Sequence, residues 1–130
     1  MNILISIDIE DECRLALEDY ATVFVRPLPE SFPTPSTLIE SVGGSTSNEV
    51  DTFNVKLSTR ATTDADALNE LRRVVGILEQ RAKEQFGGLR SVKINSLANW
   101  GSDPIRPDLK LATATLGVVA HRQSLEIKES

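Results

Sequence analysis

The sequence predicts an α+β fold: a mostly antiparallel four-stranded sheet flanked by an N-terminal helix and one long amphipathic helix, with a β-β-α-β-β core. Three observations predict it. Leu68, Leu71, Val75, Leu78 and Ala82 step by three and four residues, which places them on one side of a helix over 64–86. Segments with strand-like alternation lie before and after it, over 51–60, 89–97 and 107–122. Turn formers separate these pieces: Gly87-Gly88 after the helix and Asp103-Pro104 before the last strand.

Taken in order, the elements describe one domain over residues 1–130. Ile9, Cys13, Ala16, Leu17, Tyr20 and Phe24 share a face, so the first helix is expected over 9–24, with Asp8 as its cap. Residues 26–36 contain Pro27, Pro29, Pro33 and Pro35. Proline has no N–H to donate and restrains the residue before it, so this stretch should run as an extended arm. A short strand is expected over 37–42, closed by Gly43-Gly44. Phe53, Val55 and Leu57 then alternate with Asn54, Lys56 and Ser58, as a strand with one wet face requires. Thr63 with Asp66 reads as a capping box for the long helix. After it, Val92 and Ile94 alternate with Lys93 and Asn95.

The last strand differs. Leu109 and Leu111 point one way, while Ala112, Ala114, Leu116, Val118 and Ala120 point the other. Both faces are apolar enough to need cover, either from the two helices or in part from another subunit. The core is expected over 37–122, with 123–130 as a tail.

Composition bounds the function. With 40% hydrophobic and 25% charged residues among 130, the chain is globular and can bury a core of its own. The opening run Met1–Ile7 is too short for a membrane span and lacks a signal-peptide layout, which points to a soluble protein away from membranes. One cysteine allows no internal disulfide, and Cys13 falls in the apolar row of the first helix as a small buried hydrophobe.

Charge is unevenly placed. Residues 1–20 hold six acids against Arg14, a net −5, while the other 110 residues carry thirteen of each sign. No basic stripe of the kind nucleic-acid binders use is present. The acids either solvate the outer face of the first helix or form a surface that faces phosphates without gripping them.

No reaction chemistry is legible. His121 has no Cys or second His at ligand spacing, and Gly43-Gly44 lacks the Lys that a phosphate-binding loop needs. Asp8 and Glu12 share a helix face but have no third partner. No enzyme activity, metal or cofactor is expected. The loop NWGSDPIRP over 99–107 is another matter: Trp100 and Ile105 are large apolar groups among polar ones. They either fold back on the core or anchor a partner, with Asp103 and Arg106 as a charged rim.

The layout resembles the tail-terminator and head–tail joining (neck) proteins of long-tailed bacteriophages. The resemblance rests on a first helix, a Pro-rich crossing, a strand ending in Val42-Gly43-Gly44, a β-α-β segment and the run DPIRPDLKLATATLGV from Asp103. It implies a structural virion protein that forms a ring, usually a hexamer, terminating the tail tube and joining the tail to the head–neck connector. The implied partners are further copies of itself, the tail tube protein and a head-completion (stopper) protein, with DNA only as passing cargo. The implied setting is the virion neck, assembled in the host cytoplasm.

On that reading Glu10, Asp11, Glu18 and Asp19 would line an acidic lumen. Trp100, Asp103, Ile105 and Arg106, with Pro27, Pro29, Pro33 and Pro35 of the arm, would meet neighbouring protein. A non-viral oligomeric α+β binding module and another head–tail connector component are the alternatives.

Overall fold

A computed structural model describes residues 1–47 and 49–128, without the side chains of 98–100. Its elements are β1 (Asn2–Ile5), α1 (Ile9–Leu17), β2 (Val23–Val25), β3 (Ser36–Thr46), β4 (Val50–Ala61), α2 (Asp64–Lys83), β5 (Leu89–Ser102), β6 (Lys110–His121) and β7 (Gln123–Glu126). The fold is α+β and mostly antiparallel. The main sheet has five strands in the order β2-β3-β4-β6-β5, one more than the sequence predicted. The extra strand is β2, which pairs in parallel with β3. A separate two-stranded ribbon joins β1 to β7, so part of the expected tail is a strand.

Local chemistry sets the helices. Asp8 caps α1, its Oδ1 accepting from the Asp11 amide at 3.2 Å, and Thr63 caps α2 by accepting from Asp66 N–H at 3.1 Å. The first helix ends at Leu17 and not at residue 24. Tyr20 is 52% exposed, and Phe24 lies in β2 opposite Leu38. Three β-branched or aromatic residues, Val23–Val25, gain more by extending the sheet edge than by lengthening an exposed helix.

The long helix stops at Lys83, before the glycine pair. Gln85, at φ +56°, takes the left-handed position, and Phe86 N–H donates to Arg81 O at 3.0 Å, as in a Schellman cap. Gly87 serves a different need. A Cβ there would lie 1.6 Å from Glu12 Oε1, which accepts from Gly88 N–H at 3.0 Å and ties α1 to this turn.

The strand expected to close at Gly43-Gly44 continues to Thr46 through a register shift between Ser41 and Gly44. Gly44 permits a close approach, since a Cβ there would sit 2.2 Å from Thr52 O.

Both helices lie on one face of the sheet. Leu71, Val74, Val75 and Leu78 of α2 and Ile9, Cys13, Ala16 and Leu17 of α1 share a single core with Ile39, Val55, Leu57, Leu89 and the Ala112–Ala120 row of β6. Ala67 and Val74 join the inward side of α2, while Leu68 is only half-buried. The opposite face carries no helix among the described residues. It holds Glu40, Asn54, Lys56, Thr113, Thr115, Gly117, Val119 and Lys93, and the β6 residues among them are half-buried. The helices therefore do not cover β6 on both sides.

Candidate interaction surface

The loop before the last strand is shorter than its sequence implied. β5 runs on to Ser102, so the turn occupies 103–109, and Trp100 pairs through its backbone with Ala112. The Trp100 side chain lies outside the described residues.

Asp103 organises this turn. Its carboxylate is fully buried and bonds on both sides: Oδ2 accepts from Arg60 Nε at 2.5 Å, and Oδ1 accepts from Ile105 N–H at 3.0 Å. Asp103 N–H donates to Leu109 O at 2.9 Å, and Leu109 N–H to Arg106 O at 2.8 Å. Burial alone would raise the Asp103 carboxyl, but the Arg60 guanidinium and the Ile105 and Arg106 amides outweigh it and hold it below its ordinary value of 3.8. Arg60 is on the helix-free face of β4 and is itself buried, with Nη1 lacking a partner among the described residues. Asp103 therefore works inside the chain and not as an exposed rim.

On this hydrogen-bonded base Ile105 stands out at 75% exposure. Arg106 is half-buried. Its Nε and Nη2 donate to both carboxylate oxygens of Asp108 at 3.1 and 3.0 Å, and its guanidinium lies 5.6 Å from the centre of the Phe32 ring. Phe32 in turn meets Phe24 edge to face, with ring centres 6.5 Å apart. The arm and the turn, far apart in sequence, thus meet at one end of the sheet. All four prolines, Pro27, Pro29, Pro33 and Pro35, are exposed along the arm. Phe32 and Arg60 were not singled out from the sequence. Phe32 was legible as the one aromatic in a Pro- and Ser-rich stretch, whereas the burial of Arg60 depends on the turn folding over it.

The acids of the first twenty residues have separate tasks. Glu10 bonds Arg26 at the root of the arm and accepts from Ser41 N–H at 3.1 Å. The Arg26 hydrogen bond leads in holding the Glu10 carboxyl below its ordinary value of 4.5, against the opposing effect of burial. Asp11 and Glu18 both hold Arg14, at 2.7 Å each. Among the described residues Asp19 alone of the four is in no ion pair, and it is exposed. Cys13 is fully buried in the core, where burial pushes its thiol up to about 12. His121 is exposed at the end of β6.

Neither protein-family models nor curated proteins give a match to this sequence.

Proposed function

We propose that the protein is a structural subunit that builds a ring and caps or joins a phage tail, in the manner of tail-terminator and neck proteins. The observation that carries this reading is the convergence of the Pro-rich arm and the 103–109 turn. Two segments of unusual composition form one surface around Phe32 and Arg106, with Ile105 displayed on a base locked by Arg60 and Asp103. An exposed aliphatic on a rigid platform, ringed by polar groups, is the build of an assembly contact. The arm was expected to run extended, but it bends at Arg26-Pro27, Glu30-Ser31 and Thr34-Pro35 to return from β2 to the start of the parallel β3; its four prolines fix φ, so little entropy is lost when it is covered. The partner proposed for this surface is either the next subunit or the tail tube protein. A head-completion protein would meet another surface of the ring, and DNA passes through as cargo.

Ile105→Asp tests the reading. The isolated chain should fold as before, because the side chain is in solvent, while particles assembled with the variant should carry tails of irregular length. Tails of normal length with Ile105→Asp would remove this surface from assembly.

A further inference from the structure

Two surfaces on opposite sides of the molecule complement one another. The first is the outer side of α1. Asp11, Leu15 and Glu18 step by four and three residues along one stripe, with Asp19 just beyond, and Leu15 is 38% exposed between the acids. An aliphatic side chain exposed within the most acidic part of the chain is the pattern of a contact with a charged rim.

The second is the helix-free face of the sheet. Its buried residues, Ser36, Leu38, Ser58 and Arg60, lie at the end where the arm and turn meet. Beyond them, Thr115 lies beside Lys56, and Gly117 lies between Asn54 and Lys93. Gly117 brings no side chain to the middle of this face, and the Asn95 side chain lies beside it, 3.4 Å from where a Cβ would sit. Lys56 and Lys93 stand beside these small residues, and neither is in an ion pair among the described residues.

We infer that a second copy of this chain covers the sheet face: the Asp11–Asp19 stripe of one subunit docks across Thr115 and Gly117 of the next, Leu15 lying against these small residues and the acids meeting Lys56 and Lys93. This rests on the ring reading above and names the surfaces that would build the ring. The complementarity is of charge: a stripe that stays acidic even with Arg14 held by Asp11 and Glu18, carrying one projecting aliphatic, against a face with two lysines in no ion pair among the described residues. Because the two surfaces are different, the contact is head-to-tail, the type that closes into a ring when the rotation between subunits allows it. It also gives the acidic charge of α1 a role in subunit pairing, since like surfaces repel and register is fixed by the unlike ones.

Charge exchange tests it, with sedimentation velocity on the full chain at low salt and high concentration. Lys56→Glu with Lys93→Glu makes both surfaces acidic; Glu18→Lys with Asp19→Lys makes both basic. Each variant alone should assemble at least about tenfold more weakly. An equimolar mixture should recover assembly, because alternate subunits then present unlike surfaces at every contact. Lys93→Glu alone, at an exposed position of an edge strand, should also weaken assembly and guards against a folding defect from Lys56→Glu opposite Glu40. If the charge variants assemble like the wild type, or the mixture fails to recover, the inference is overturned while the ring reading stands. A wild-type chain that stays monomeric at every concentration, even with tail tubes present, sinks the ring reading and the inference with it.

Discussion

Removing the carboxylate of Asp103 should be among the costliest single changes in this molecule outside the apolar core. Asp103 is fully buried, Arg60 is 6% exposed, and their 2.5 Å bond is the only hydrogen bond that the Arg60 guanidinium makes among the described residues. Asp103→Ala leaves a buried guanidinium without its counter-charge and removes the acceptor for Ile105 N–H. Breaking a buried pair on one side costs roughly 3–5 kcal/mol. For a domain of this size that is a fall in melting temperature of about 10–20 °C. The partner substitution Arg60→Met should be costly too, since it strands the carboxylate, whereas Arg60→Met with Asp103→Leu should recover most of the loss, an apolar pair often matching a buried ion pair. Differential scanning calorimetry on wild type, Arg60→Met, Asp103→Leu and the double variant reads the cycle, with Asp103→Ala measured beside them. If Asp103→Ala melts within about 3 °C of wild type, a shift worth under about 1 kcal/mol, the turn is not anchored as described and Ile105 has no rigid base.

Other expected outcomes follow from single contacts. Leu71→Ala or Leu78→Ala, each emptying a fully buried site under the sheet, should cost roughly 2–5 kcal/mol in chemical denaturation. Gly44→Ala forces a Cβ toward Thr52 O and should destabilise by about 1–3 kcal/mol, with amide exchange faster along the outer ends of β3 and β4 and unchanged in α2. The Glu10 and Asp103 carboxyls are both held below their ordinary values of 4.5 and 3.8, so their contributions are complete above those values and are lost as pH falls through the lower folded values. Acid titration of stability should therefore be less steep in Glu10→Gln than in wild type; an unchanged acid limb would contradict the Arg26 and Ser41 bonds.

The sequence by itself determined the parts whose signal is local. Helix α2 was legible because its apolar residues recur at helical spacing and Thr63 supplies a cap at the right place; β4 and β6 were legible from alternation, and Cys13 from its place in an apolar row. Tertiary structure decided what depends on neighbours distant in the chain. Val23–Val25 became a strand because β3 offers an open edge, although Phe24 fits the helical spacing of α1. Met1–Ile7 and the final residues carried no pattern of their own, and β1 and β7 exist only because each supplies the other's hydrogen bonds. Asp103 read as a turn residue on the surface, which is its local chemistry; that it is buried follows from Arg60, forty-three positions earlier, lying beneath it. The arm and the loop were each visible as unusual composition, but their meeting through Phe32 and Arg106 was not, because nothing local encodes a contact between two irregular segments. Periodicity specifies which side of an element seeks cover, and only the packed chain specifies what supplies it.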